Sequence, residues 1–206
     1  HGERVALRYR RHGDDSALSV REIAVLVNRA AFALRGLGVA PGDAVVLVCP
    51  AHPAALIVPL ACARLGACCV LDASAAAAAL KPVVALTTAA EFPAASATLG
   101  QTVRDVVVID DFGAPGARRA VSFAARLAQA RDHFTPTATL AGDAALAFRA
   151  PVDGRLHQHG HRLALALPSL APWLSGLESA ECLGMAAPAG SIGGTVEAMR
   201  VDLDVG

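Results

Sequence analysis

The sequence lacks several features that would each indicate a class of protein. Basic and acidic side chains number 18 each, so no charge excess indicates a nucleic-acid partner. Proline, glycine or charged residues interrupt every apolar run before about 18 residues, the length that a membrane-spanning helix needs. There is no internal repeat, no low-complexity linker and no visible secretory signal. We therefore expect no nucleic-acid partner, no membrane span and a cytoplasmic location.

Cysteine pairs with the spacing of metal or redox sites are also absent, because no C-x-x-C occurs. Most of the cysteines lie inside apolar segments, which favours buried free thiols in a reducing cytoplasm. The five are Cys49, Cys62, Cys68, Cys69 and Cys182.

The apolar residues are abundant and are arranged in periods. They make up 54% of the 206 residues, and the mean hydropathy is +0.47. This length can bury a sizeable core and predicts one domain over 1–206, with a possible change of subdomain near 142–160.

The stretch from Leu18 to Asp72 has the clearest pattern. Ser19 and Glu22 have the spacing of a capping box, which predicts a helix start. Helically spaced apolar residues follow, and Gly36 and Gly38 end the helix. They are Val20, Ile23, Val27, Ala30, Ala31, Leu34 and Leu37.

A βαβ unit follows a predicted turn at Pro41-Gly42-Asp43. Residues 44–49 and 68–71 are apolar throughout, as in strands of a parallel sheet that is covered on both faces. Residues 54–65 between them are apolar nearly all round, which predicts a well-buried helix. Further strands are expected over 82–87, 106–110 and 144–148, and helices over 73–80 and 121–130. The predicted fold is therefore α/β, with a mostly parallel sheet and helices on both faces.

This stretch resembles the N-terminal part of the adenylate-forming superfamily, which includes acyl-CoA synthetases, peptide-synthetase adenylation domains and luciferases. The resemblance implies the same α/β fold and, in a full-length member, ATP- and Mg²⁺-dependent activation of a carboxylate. The matching residues are Glu22, Asn28, Gly38, Val39, Pro41, Gly42, Asp43, Pro50, Gly66, Ala67, Val70, Leu71 and Asp72.

The same resemblance places a phosphate-binding loop directly after the strand that ends near Phe148. Family members have Ser, Thr and Gly there, followed by a lysine. This chain has Arg149-Ala-Pro-Val-Asp-Gly154-Arg155-Leu-His157, so the hydroxyls are absent and His157 replaces the lysine. We interpret the loop as degenerate, with Arg149, Gly154, Arg155 and His157 as its remnant. The alternative is that Arg149, Arg155 and His157 bind an anion with a different geometry.

Three alternating histidines, His157, His159 and His161, would face one side of a strand and could hold Zn²⁺. A loop before a helix is the setting that we expect here, with solvated histidines and no metal. Near the end of the chain, Gly190 to Gly194 could form a phosphate nest around Ser191, but turn glycines are the simpler interpretation.

Two functional hypotheses follow. The first is a truncated, degenerate adenylate-forming domain that is not catalytic alone and has a structural or docking role, possibly in a polyketide or nonribosomal peptide system. It implies no cofactor and a protein partner or self-association, because the missing half would leave an apolar surface. The alternative is half of a split or truncated carboxylate-activating ligase that binds ATP, Mg²⁺ and an acyl substrate. A weaker third option is an unrelated α/β enzyme that uses Ser191 or the histidines.

Overall fold

The computed structural model describes residues 2–11, 14–49, 52–109, 121–149 and 155–162. The predictions for 163–206, including Ser191, lie outside these residues, as do Gly154 and the other residues of 150–154. The described helices are α1 Val20–Gly36, α2 Ala54–Leu65, α3 Ala75–Ala78, α4 Phe92–Leu99 and α5 Phe123–Gln129. The described strands are β1 Val5–Arg11, β2 Asp14–Ser19, β3 Ala44–Val48, β4 Cys68–Leu71, β5 Val84–Thr87, β6 Asp105–Val108, β7 Val121–Ser122, β8 Ala144–Arg149 and β9 Leu156–Gly160.

The strands form one small and one large sheet. β1 and β2 pair antiparallel, and the large sheet has the order β7-β6-β5-β3-β4-β8-β9. Its first six strands run parallel, and β9 pairs antiparallel with β8. The predicted mostly parallel α/β fold is confirmed.

Helices cover both faces of the large sheet, and alternate strand residues supply the two halves of the core. The larger apolar cluster joins α1, α2 and the start of α5 to one face. The smaller cluster joins α3 and α4 to the opposite face. Neighbouring residues of β3 show the alternation, because Val45 and Leu47 belong to the larger cluster and Val46 to the smaller one.

Helix α1 begins with the predicted capping box. The Ser19 backbone N–H donates to the Glu22 carboxylate at 2.7 Å, and the Glu22 backbone N–H donates to Ser19 Oγ at 3.2 Å. The hydrogen bond from the Ser19 backbone, followed by that from its side chain, lowers the pKa of Glu22. The predicted apolar face is buried except for Val20, which is 45% exposed because it lies in the first turn.

Helix α2 has the predicted bounds and ends at Gly66, whose φ of 79° is left-handed. Its burial is less complete than predicted. Leu56 and Leu60 are 39% and 43% exposed, because they lie on the side of α2 that points away from the sheet. The described residues leave this side of the helix in contact with solvent.

An irregular segment over residues 130–143 crosses α1 and α2, and sequence reasoning did not identify it. Asn28 Nδ2 donates to the Asp132 carbonyl at 2.7 Å, and an Arg64 Nη donates to the Phe134 carbonyl at 2.9 Å. Phe134 is 2% exposed and meets Phe32 edge-to-face at 5.1 Å. A buried aromatic side chain thus anchors a segment without regular structure to both helices.

Four elements differ from the predictions, and one of them is strand β7, which takes the first two residues of the helix predicted over 121–130. Strand β2 and helix α4 were not expected, since their sequences have weak periodicity. The expected loop around His157 to Gly160 is strand β9, because pairing with β8 satisfies its backbone. No helix in the described ranges is long and apolar enough to cross a membrane.

Candidate functional site

The carboxyl edge of the parallel sheet is the candidate site. The loop after β3 leads to α2 on one face, whereas the loops after its neighbours β4 and β5 lead to α3 and α4 on the other face. Such a reversal opens a crevice outside the carboxyl ends of the strands, where ligands of open α/β sheets bind. The side chains that follow β3, β4, β5 and β8 therefore define the site.

An ion pair joins the ends of β4 and β8. Arg149 Nη2 donates to Asp72 Oδ2 at 3.2 Å and also to Ser74 Oγ. Ser74 in turn donates to Asp72 through its hydroxyl at 2.6 Å and through its backbone N–H at 3.0 Å. The Asp72 side chain is 11% exposed and that of Arg149 is 40% exposed. The guanidinium at the end of β8 is therefore held beside a nearly buried carboxylate.

Ser74 has a second role as the N-cap of α3. The Ala76 backbone N–H donates to Ser74 Oγ at 3.2 Å. The Ser74 hydroxyl thus accepts from the start of α3 and from the Arg149 guanidinium, and donates to the Asp72 carboxylate. This shared hydroxyl fixes the geometry of the β4–α3 turn relative to β8.

Thr87 is the last residue of β5, and Thr88 directly follows it. Thr87 is completely buried, and its hydroxyl donates to the Thr88 carbonyl at 3.3 Å. Thr88 Oγ1 accepts from the Glu91 backbone N–H at 3.4 Å as the chain turns into α4. Both hydroxyls therefore serve the local backbone at the edge of the crevice.

His52 lies between β3 and α2. Its Nδ1 accepts from the Ala54 backbone N–H at 3.1 Å, which requires that Nδ1 carry no proton in this arrangement. His52 thereby satisfies one of the free amides at the start of α2.

The β8–β9 ladder determines where the remaining remnant residues lie. Arg149 pairs with Leu156, and Phe148 pairs with His157. Arg155 and His157 flank Leu156, so the structure brings both to the end of β9 that lies beside Arg149. Arg155 is exposed and His157 is half-buried. The backbones of Arg149, Arg155 and His157 thus lie at the same end of the β8–β9 ladder, where the Arg149 side chain contacts Asp72 and Ser74.

His157 and His159 lie in β9, and His161 directly follows it. His157 lies near the carboxyl edge, whereas the His161 backbone N–H donates to the Asp143 carbonyl at 3.2 Å near the amino edge. Four residues of strand separate them by roughly 13 Å. Between them, the His159 ring stacks on Phe148 at 4.5 Å. In the described ranges, no group of three His, Cys, Asp or Glu side chains is placed to hold a metal ion.

Four thiols of the described residues, Cys49, Cys62, Cys68 and Cys69, are free and buried. Burial raises the pKa of Cys49 to about 12 and that of Cys68 to about 11. A hydrogen bond with Cys62, followed by burial, raises the pKa of Cys69 well above its ordinary value. Thiols that stay protonated at neutral pH are poor nucleophiles, so these cysteines act as small core residues.

Sequence reasoning missed Ser74, Thr87, Thr88 and His52 as residues of this edge. A signal was present, because Thr87 ends a predicted buried strand, the other three residues follow such strands, and parallel strands end at one edge. The partnership of Asp72 with Arg149 carried no such signal, since 77 positions separate the two residues.

Both the sequence and the fold of this chain are similar to those of known proteins. The profile of the family described as AMP-binding enzyme matches residues 1–135 of this chain. Acetyl-coenzyme A synthetase of Streptomyces avermitilis is 44% identical over 68 residues, which are 32% of this chain and 10% of that protein. Acetyl-coenzyme A synthetase of Mycobacterium tuberculosis is 43% identical over 68 residues, with the same two shares.

Solved structures share the fold over more of the chain. The acyl-CoA synthetase of Brucella canis superposes with a TM-score of 0.71 at 18% identity, over 84% of this chain and 33% of that one. The anthranilate CoA ligase AuaEII, solved with anthranoyl-AMP, gives a TM-score of 0.66 at 17% identity, over 75% of this chain and 32% of that one. This chain therefore spans about a third of those two structures and aligns with a tenth of the curated relatives.

Proposed function

Because the chain belongs to the AMP-binding enzyme family, we propose that it supplies the N-terminal α/β part of an adenylate-forming fold, and does not activate a carboxylate by itself. The observation that carries this proposal is the pairing of Arg149 with Asp72 and Ser74. The charge at the end of β8 is already partly neutralised there, so it is a weak ligand for phosphate. The sequence of 150–154 adds no hydroxyl and no lysine.

The role that we propose instead is structural, as a docking scaffold for a protein partner. Leu56 and Leu60 support it, since they are exposed one turn apart on α2. A place in a polyketide or nonribosomal peptide system is the setting suggested by the resemblance to peptide-synthetase domains. A reducing, cytoplasmic location is supported by the four buried free thiols.

The first experiment is a thermal shift of the purified chain with Mg·ATP, and separately with a non-hydrolysable acyl-adenylate mimic. A ligand at about 100 times its dissociation constant adds roughly 2.7 kcal/mol to the free energy of unfolding. We expect no shift in Tm with either ligand. A shift with either one contradicts the proposal and favours the ligase alternative.

The docking role is tested by light scattering and by binding of an apolar dye. We expect wild type to bind the dye or to self-associate, and the double variant L56S/L60S to do so less. A matched control is A75S/A76S on α3, where two exposed alanines carry little apolar surface. A monomeric wild type that binds no dye would contradict the docking role.

The alternative is a residual site that binds ATP, Mg²⁺ or an acyl-adenylate, and one observation favours it. The β8–β9 pairing brings the backbones of Arg149, Arg155 and His157 to the edge where ligands of this fold class bind. It predicts that Arg155→Ala weakens binding of the acyl-adenylate mimic. Arg162→Ala is the matched control, because Arg162 is an exposed arginine just beyond the other end of β9. Equal affinities of the two variants would exclude this role for Arg155.

A further inference from the structure

A second concave region lies between α1 and α5, away from the carboxyl edge. Its volume is about 240 Å³. Phe32, Ala33 and Gly36 of α1 form one wall, and Arg126 and Gln129 of α5, with Arg131, form the other. Gly36 is the last residue of α1, shortly before the turn into β3. The depression therefore lies towards the amino edge of the sheet.

The charges around this depression are positive. Arg126 and Arg131 line it, and the Arg35 guanidinium lies 4.6 Å from the centre of the Phe32 ring. None of its lining residues is acidic. The nearby Asp132 carboxylate is bound to Arg29. An anion that enters the depression thus meets cations without a competing carboxylate in the wall.

Arg126 places its guanidinium against the α1 wall of the depression, because its Nη1 lies 3.9 Å from a Cβ built on Gly36. Its Nε is buried and has no hydrogen-bond partner within the described part of the chain. Leu37 and Gly38 donate to carbonyls in the last turn of α1, and Arg104 donates to the Leu37 carbonyl, so these carbonyls do not use the Arg126 guanidinium. The Nη groups are therefore the part of this guanidinium that a ligand in the depression can reach.

We propose that this depression binds a small organic carboxylate. The Arg126 guanidinium presents its Nη groups to the carboxylate, and Arg131 supplies a second positive charge. Phe32 and Ala33 provide an apolar surface for the rest of the ligand. The volume lies below the roughly 300–1,000 Å³ of sites for drug-sized molecules, which limits the ligand to one ring or a short chain.

The test is a titration of the whole chain with sodium benzoate at constant ionic strength, followed by the NMR signals of the arginine Nε–H groups. We expect a saturable shift of the Arg126 signal. Benzamide, which has the same shape without the charge, and inorganic phosphate, which has charge without an apolar body, should both bind more weakly. Phosphate binding as tightly as benzoate would overturn the assignment to an apolar carboxylate.

Three variants test the geometry. Arg126→Lys keeps the charge but loses the planar fork, and should weaken benzoate binding about tenfold or more. Gly36→Ala adds a methyl group whose carbon would lie 3.9 Å from Arg126 Nη1, so it narrows the depression without a clash and should also weaken binding. Arg8→Ala, an exposed arginine on β1, is the control that should not change it. Unchanged affinity in both Arg126→Lys and Gly36→Ala, or an equal shift with sodium chloride, would overturn the proposal.

Discussion

Two parts of the large sheet differ sharply in how they are built. The β3–α2–β4 unit is apolar at nearly every position, and Val45, Val58 and Val70 within it are fully buried. The β8–β9 edge instead carries arginine and histidine, and residues 155–162 include no fully buried side chain. The first region contributes stability through burial, whereas the second presents polar groups at the edge of the fold.

The comparison teaches that the family's scaffold and the candidate site of this chain depend on different kinds of residue. The scaffold depends on periodic apolar residues and on one capping box, and these are intact. The candidate site depends on a few side chains at the strand ends, where Arg149 is paired with Asp72. Asp72 also links the two regions, because it directly follows β4 and forms an ion pair with Arg149 at the end of β8.

The largest expected effect concerns the thiols of the β3–α2–β4 unit. In a Cys182→Ser variant, the four remaining cysteines should react with a thiol reagent at least about 10³-fold more slowly in the native than in the unfolded protein, since reaction needs unfolding. Stopped-flow absorbance with a chromogenic disulfide measures the rates. One thiol that reacts at the unfolded rate would contradict the burial of this region.

Because burial raises the pKa of these thiols, the protein should lose stability at alkaline pH. The folded pKa of Cys49, about 12, exceeds its ordinary value of 9.0. The stabilisation is therefore complete below pH 9 and is lost as pH rises towards 12. Tm should fall less over pH 9–11 in Cys49→Ala than in wild type. An equal fall in Tm in the two proteins would contradict the assignment of this pH effect to Cys49.

The next prediction compares matched leucines of the two regions. Leu47 of β3 is 2% exposed, whereas Leu146 of β8 is half-buried. Leu47→Ala should lower the free energy of unfolding by about 2–5 kcal/mol, and Leu146→Ala by less, because a smaller cavity forms. Urea unfolding measures both. A greater loss of unfolding free energy for Leu146→Ala than for Leu47→Ala would contradict the difference in burial between the two regions.

The link between the regions should have a smaller effect. Asp72→Ala removes the acceptor of Arg149 and of Ser74, and should cost about 1–2 kcal/mol, since Arg149 is partly solvated. Adding Arg149→Ala to that variant should change stability little, because the pair is already broken. Additive losses in the double variant would show that the two side chains are not coupled.

The smallest expected effect concerns the start of α1, outside both regions. Ser19→Ala should cost about 1 kcal/mol through loss of the N-cap, and Ser16→Ala on β2 is the control. The pKa of Glu22 is lowered in the fold, so its contribution is present above pH 4.5 and is lost as pH falls through the folded pKa. The stability difference between wild type and Glu22→Gln should therefore shrink in acid. A difference that does not change with pH would remove the capping role of Glu22.

The sequence by itself determined the scaffold from α1 to β4, and the reason is local. A capping box, helical and strand periods, and glycines with positive φ act within a few residues, so Ser19, Glu22 and Gly66 were all identified in their observed roles. Family membership followed from the same local features and their order.

Only the tertiary structure decided which residues are neighbours at the edges of the sheet. The pairing of Asp72 with Arg149, the position of Phe134 against Phe32, and the strand conformation of His157 to Gly160 all depend on partners far away in the chain. The depression beside Arg126 likewise arises from the packing of α1 against α5. Long-range pairing satisfies backbone and charge in ways that no local period encodes, so these features became visible only in the fold.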